Sequence, residues 1–372
     1  MKFRNFQISI IVFIRRYILK LSLCMIVKNE EDVLERCLRS IKSCVDEIII
    51  VDTGSTDKTK DIALKYTSNV YDFKWIDDFS AARNFSFSKA TGDYIMWLDA
   101  ADIITPLNAN KLLSLKISCD PKTDIFMFKY NVAFDKNNNP TFTYYRERII
   151  RNSPKYKWES PIHEVIPLVG NIVYNDISIE HKKMKLNPPK RNLNIFNKMI
   201  ADGVKLDARQ QFYYGRELFY NNYDNEAIKN LEEFLNRIDG WVENKIDACK
   251  LLGALYIKNG NAEKALNSLF NSFLYAEPRS NICCDIGKIF FDKKDYYNSI
   301  FWYELAANRT QNVNSNAFIE PDTFGYIPYM QLCVIYYRLG DFVKSNMYNE
   351  MAGQLKPNDA NYLHNRNLFT NL

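Results

Sequence analysis

Glu47 to Val51 reads EIIIV and stops on Asp52. A continuous apolar run of this length marks a strand buried on both faces, as in a parallel sheet. Parallel strands cannot be joined by a tight turn; they need a crossover, usually a helix. The flanking sequence supplies one. Leu21 to Val27 is a second buried-strand pattern, and Glu30 to Ser43 between the two is helical, with Val33, Leu34, Cys37, Leu38 and Ile41 on one face. Ser55-Thr56-Asp57 carries hydroxyl and carboxylate groups suited to capping a helix from Lys58 to Tyr66. Asn69 to Tyr71 reads as a short strand, Ser80 to Ala90 as a helix and Tyr94 to Leu98 as another buried strand. This βαβαβ order predicts a parallel sheet with helices on both faces. Ligands of such sheets collect beyond the carboxyl ends of the strands. Asn29, Asp52 and Asp99 each follow a strand, so the three are expected around one crevice.

From Asp124 to Asn175 the pattern turns β-rich: FMFKYNVAF and TFTYYRERIIR flank an NNNP turn and extend the sheet. Asn187-Pro188-Pro189 breaks the pattern. After Arg191 the chain is helical and repeats at roughly the 34-residue period of helix-turn-helix solenoids. GRELFYNNYDNEAI from Gly215, GALYIKNGNAEKAL from Gly253 and GKIFFDKKDYYNSI from Gly287 align without gaps, and CVIYYRLGDFVKSN from Cys333 is a looser fourth copy. A small residue opens each unit so that paired helices can approach closely. One unit cannot bury its own face, but a stack of four can. The units span about 208–363 and resemble tetratricopeptide repeats.

Composition bounds the function class. With 372 residues, 47% apolar and 25% charged, the chain is an ordinary globular protein with room for two domains. A net charge of +5 does not call for nucleic acid. Many of the 24 Tyr and 24 Phe lie in the second half, where they recur at helical spacing, which reads as repeat packing. None of the eight Cys forms a C-x-x-C pair, so zinc spacing is absent, and reduced thiols in a cytoplasmic protein are expected. Ile8 to Ile14 is too short to span a bilayer, which needs about 18 apolar residues. Residues 1–20 therefore read as a basic, apolar leading segment, with membrane contact at most peripheral. Lys182, Lys183 and Lys185 form a short basic run of the kind that is usually a solvated face.

Four motifs carry the chemistry. The first, Val27-Lys28-Asn29-Glu30, leaves a strand on polar groups that could equally be a helix-capping turn. In the second, Asp52-Thr53-Gly54-Ser55-Thr56-Asp57, a carboxylate at a strand end can accept hydrogen bonds from a base or a ribose. In the third, Ala82-Arg83-Asn84, Arg83 can pair with a diphosphate or with Asp52. In the fourth, Leu98-Asp99-Ala100-Ala101-Asp102, carboxylates at a strand end can hold a hard divalent cation.

Together and in this order, over about 20–105, the four resemble the family 2 glycosyltransferases of the GT-A fold. The resemblance implies an α/β GT-A (Rossmann-like) catalytic domain over 21–187, followed by an all-α tetratricopeptide-like repeat domain over 191–372. It implies a UDP-sugar donor bound by Val27, Asn29, Glu30, Asp52, Arg83 and Asp99, and Mg2+ or Mn2+ at Asp99, Asp102 and His181. Trp158-Glu159-Ser160-Pro161-Ile162-His163-Glu164, followed by Ile179-Glu180-His181, is similar to a subgroup with a W-x-G-x-x-H-E segment and a later I-x-H. Glu164 is then expected as general base and His163 as its helper or as an orienter of the acceptor. A repeat domain after such a catalytic domain resembles the sublancin-type S/O-glycosyltransferases of bacteriocin peptides. That implies transfer of a hexose, glucose first, to Ser, Thr or Cys of a peptide docked by the repeats; a homodimer is left open. A cell-envelope glycan or glycolipid acceptor is one alternative, and a catalytically dead scaffold another. The chain departs from the family at Ala101, where a second carboxylate is expected. A methyl cannot ligate a cation, so metal affinity and turnover should fall. An introduced inactivating change is the first reading of Ala101 and a natural variant the second.

Overall fold

A computed structural model describes residues 18–184, 190–310 and 317–370. Most of the expected leading segment 1–20, and the Asn187-Pro188-Pro189 break, lie outside the described residues. The chain divides into two compact units, the second beginning at Lys190.

The first unit is built on one eight-stranded sheet: β1 (Leu21–Val27), β2 (Glu47–Asp52), β3 (Val70–Asp72), β4 (Tyr94–Trp97), β5 (Asp102–Ile103), β6 (Ile125–Phe134), β7 (Pro140–Arg151) and β8 (Ile172–His181). Their order across the sheet is β3-β2-β1-β4-β7-β6-β8-β5. The first four run parallel, as the buried apolar runs predict. β7 joins β4 antiparallel and makes the sheet mixed. Successive side chains point to opposite faces. Leu21, Leu23 and Met25 accordingly enter one core with Ile50 and Met96. Cys24 enters the other with Ile49, Ile95 and Trp97. Helices α1 (Leu34–Ile41), α2 (Thr59–Leu64), α3 (Phe79–Phe87) and α4 (Pro106–Ser118) complete the unit.

Several elements differ from expectation. The helix expected from Glu30 begins at Leu34, because Asn29 adopts a left-handed φ of 55° and the next residues turn. The sequence reading also passed over α4, whose start carries Thr105 as N-cap and Pro106 in the first turn. It read β8 only as far as Asn175 and the Ile179-Glu180-His181 motif.

Among the described residues the second unit is built from α-helices: α5 (Arg191–Ala201), α6 (Ala208–Tyr220), α7 (Asp224–Leu235), α8 (Val242–Lys258), α9 (Ala262–Asn271), α10 (Ser280–Asp292), α11 (Tyr296–Ala307), α12 (Tyr326–Arg338), α13 (Phe342–Leu355) and α14 (Ala360–Thr370). The small residues of the repeat sit where helices touch. A Cβ on Gly215 would lie 2.7 Å from Leu231, one on Gly253 3.0 Å from Leu269, and one on Gly287 3.1 Å from Tyr303. The partner follows its glycine at the same offset along the chain in all three pairs. All eight cysteines are free thiols. No helix among the described residues is long and apolar enough to cross a membrane.

Candidate active site

The carboxyl ends of β1, β2 and β4 hold the predicted polar groups. Val27 and Asp52 are paired residues at the ends of β1 and β2. The Val27 carbonyl accepts from Thr53 N–H at 3.0 Å and from Thr53 Oγ1 at 3.1 Å. Asp52, 1% exposed, accepts on Oδ1 from the N–H groups of Gly54 at 2.9 Å and Ser55 at 2.7 Å. Gly54 has φ 102°, a conformation that favours glycine. Asn29 closes the loop from the other side: its Oδ1 accepts from Thr56 N–H at 2.7 Å, and its own N–H donates to Ser55 Oγ at 2.9 Å. Glu30 N–H donates to Thr59 Oγ1 at 2.7 Å. Val27, Asn29, Glu30 and Asp52 thus frame one rigid turn. β1 separates β2 from β4, so Asp52 and Asp99 stand about two strand spacings, roughly 10 Å, apart.

Arg83 lies within α3 and is 7% exposed. Its NH2 donates to Asp99 Oδ1 at 2.9 Å and its Nε to Glu164 Oε1 at 2.7 Å. The guanidinium is stacked 4.9 Å from the Trp97 ring and 4.8 Å from the Trp158 ring. The expected pairing with Asp52 is not what forms: the nearer carboxylates on β4 and on the 158–164 loop capture the guanidinium instead. Burial alone would lower the Arg83 pKa, but Asp99 and Glu164 outweigh it and raise it. The 158–164 segment is fixed on α3. Asn84 donates to the Trp158 carbonyl at 2.9 Å and accepts from Trp158 N–H at 2.9 Å. Phe79 N–H donates to the Pro161 carbonyl at 2.8 Å. His163 holds a left-handed φ of 51°, an uncommon conformation for a side-chain-bearing residue.

Behind Asp99 lies a buried cluster that contains Asp102. The short β5 pairs with β8 so that Asp102 faces His181 in register. Asp102 Oδ1 is 2.8 Å from His181 Nδ1 and accepts from Tyr130 OH at 2.8 Å. Its Oδ2 accepts from Arg148 NH1 and from Asp99 N–H, both at 3.0 Å. The side chains of Arg148 and Asp102 are both fully buried. The Arg148 guanidinium lies 3.9 Å from the Trp97 ring and 4.1 Å from the Tyr130 ring. For Asp99, burial opposes ionisation, yet Arg83, Arg148 and His181 hold the carboxyl well below the usual range. For His181, burial opposes the charge, but Asp102 and Asp99 raise its pKa above the ordinary value.

Asp99, Asp102 and His181 offer ligand atoms within 4.8 Å of one another. Within that triad the donors are not equivalent. Asp102 spends its oxygens on four neighbours and, through Nδ1, orients the His181 ring, which leaves Nε2 as the open nitrogen. Asp99 is 36% exposed at its side chain; its Oδ1 accepts from Arg83, and its Oδ2 only a long contact of 3.5 Å from Tyr130 OH. A carboxylate oxygen and an imidazole nitrogen, with a carboxylate fixing the imidazole from behind, fit a hard or borderline divalent cation. Ala101, 8% exposed, adds no donor. Its carbonyl accepts from Lys182 N–H at 2.9 Å, which ties the motif to the end of β8.

The sequence reading missed Tyr130, Arg148 and Trp97 as parts of this site. One signal was available. Arg146-Glu147-Arg148 stands inside a strand whose successive side chains face opposite ways, so one of these charges had to point inward.

Residues 22–167 match the model of glycosyl transferase family 2. The chain is 36% identical over 156 residues to a TPR repeat-containing protein of Synechococcus elongatus, covering 42% of this chain and 37% of that protein. It is 26% identical over 264 residues to the SPbeta prophage-derived glycosyltransferase SunS of Bacillus subtilis, covering 64% of this chain and 58% of that protein. The chain therefore spans less than two thirds of the length of either relative. Among solved structures, S. aureus TarS 1-349 superposes at 13% identity with a TM-score of 0.38, over 67% of this chain and 90% of that one. The mixed sheet ahead of paired helices is the architecture expected of a GT-A domain with tetratricopeptide-like repeats, and the chain carries, at residues 22–167, a domain of glycosyl transferase family 2.

Proposed function

We propose that the protein is an inverting glycosyltransferase that moves a hexose from a UDP-sugar to a hydroxyl or thiol of a peptide, in the cytoplasm, with the repeats docking the acceptor. The observation that carries this reading is Arg83, bonded at once to Asp99 and Glu164. It brings the donor-side carboxylate at a strand end and a carboxylate of the 158–164 loop to one point. The turn framed by Val27, Asn29, Glu30 and Asp52 takes the nucleoside, as the family resemblance implies.

Glu164 then serves as base. The acceptor oxygen or sulfur attacks the sugar C1, the bond from C1 to the diphosphate oxygen breaks, the proton passes to Glu164, and UDP leaves. His163, beside it in the chain, orients the acceptor. Asp99 and His181 Nε2 would hold Mg2+ or Mn2+, with Asp102 as the positioning residue behind His181. When bound, the cation supplies neutralisation of the leaving diphosphate. With few protein donors and Ala101 where a further carboxylate is expected, the cation would be held more firmly together with the nucleotide than alone.

The test is Glu164→Gln. The amide still accepts from Arg83 but cannot take a proton. UDP binding should persist while sugar transfer, followed by mass spectrometry of a small Ser/Cys-containing peptide, falls at least 100-fold, in line with the loss of a general base. Retained transfer removes Glu164 from the role. Ala101→Asp should tighten Mn2+ binding in the presence of UDP; if neither form hydrolyses or transfers UDP-sugar, the scaffold reading of the chain replaces this one.

A further inference from the structure

Within each helix pair of the second unit the connection is a tight turn, such as Asn221 to Tyr223 between α6 and α7. Ahead of α12, residues 317–325 include a short 3-10 helix, Pro321–Phe324. These residues do not stay at the end of the stack. Phe318 lies against α6, its ring 4.8 Å from the Arg216 guanidinium. Glu320 pairs with Lys250 of α8 and accepts from Asn281 Nδ2 of α10 at 3.1 Å. The Thr323 carbonyl accepts from Ser280 Oγ of α10. Ala317 and Ile319, between and beside these anchors, are buried.

The segment thus crosses α6, α8 and α10, each the first helix of its pair. The row it covers is polar. Asp247 and Lys250 are one turn apart on α8, as Asn281 and Asp285 are on α10, so each pair shares a helix side. Asp247 lies within electrostatic reach of Arg216, Lys250 and Arg279. Asn244, one turn before Asp247, is 2% exposed, and its Nδ2 has no hydrogen-bond partner among the described residues.

We propose that this row is a docking surface for an extended peptide bearing an aromatic residue and, two positions later, a carboxylate, and that residues 317–320 occupy it as the chain's own stand-in. Arg216 receives the ring, and Lys250 with Asn281 receives the acid. The proposal rests on the reading of the repeats as the face that docks the acceptor, but not on the transfer chemistry. A tethered segment acts at an effective concentration on the order of millimolar, so a free peptide competes only weakly until the tether's anchors are removed.

The experiment uses the full chain, no sugar donor, and a fluorescein-labelled peptide Ala-Phe-Ile-Glu-Pro-Asp, the sequence of residues 317–322. The Phe318→Ala/Glu320→Ala chain should bind it at least tenfold more tightly than the unsubstituted chain in fluorescence anisotropy. Adding Lys250→Ala should abolish the gain, and a peptide with Ala for Phe and Gln for Glu should bind at least tenfold more weakly. Equal binding to both chains, or to neither, overturns the proposal. Hydrogen exchange gives a second measurement on the unsubstituted chain: millimolar peptide should accelerate exchange at Phe318–Thr323, and unchanged exchange there overturns the proposal even if the substituted chain fails to fold. Because no donor is present, a negative result leaves the transferase reading standing, and a failure of Glu164→Gln to abolish transfer leaves this one standing.

Discussion

Arg148 has no access to solvent, and Asp102 is the carboxylate that neutralises it. Removing one partner of a buried ion pair leaves the other charged and desolvated, which typically costs about 3–5 kcal/mol. Asp102→Ala should lower the unfolding free energy by about that much in urea titration, and Asp102→Ala/Arg148→Met should recover most of the loss. A merely exposed pair would show neither effect. Asp247 behaves in the opposite sense to a paired acid. Burial pushes its carboxyl up to about 6, against the pull of Arg216, Lys250 and Arg279. The folded state therefore binds this proton more tightly than the unfolded chain does. The stability this contributes is present below the ordinary carboxylate range and is lost as pH rises through about 6. Asp247→Asn should raise the thermal midpoint relative to the unsubstituted chain at pH 7.5, and the difference should shrink as pH falls toward and below the ordinary carboxylate range. At this scale the sequence was legible where a residue ends a strand: Asn29, Asp52 and Asp99 each follow one. It was not legible for Arg148 or Tyr130, whose roles arise only when β6 and β7 fold back beside β4.

Elements were easier to read where one period dominates. The buried runs of β1, β2 and β4 announce strands because both faces are covered. The helix pairs announce themselves by a glycine whose packing partner recurs at a constant offset. That constancy makes a prediction. Gly215→Val would push branched methyls into Leu231, already 2.7 Å from an added Cβ. Overpacking of this kind costs about 1–3 kcal/mol, and thermal denaturation should show the loss, with Leu231→Ala in the same chain relieving part of it. The reading failed at β8 and α4. The burial of β8 alternates only over its second half, so its start carries no period. The apolar residues of α4 make no clean stripe, with Leu112 buried and Leu107 and Leu113 exposed.

At the scale of the whole molecule, the second unit begins at Lys190. Each unit has hydrophobic clusters of its own. Residues 18–184 and 190–370, expressed separately, should each unfold cooperatively in circular dichroism; a broad, non-cooperative melt of either would mean that it borrows its core. The change of architecture was legible in the sequence because a pattern of strands gives way to a helical repeat, and the two demand different cores. The in-register pairing of Asp102 with His181 carries a further consequence for synthesis. Asp102 leaves the ribosome well before His181, with the whole of β6 and β7 made in between. At the usual pace of translation that gap lasts on the order of ten seconds. During that interval the nascent chain holds the acidic half of the cluster without its imidazole, and an edge of β6 without β8. The site is therefore the last part of the sheet to close, and a ribosome stalled between these two residues carries a domain whose first parallel strands are all made and whose chemistry is not.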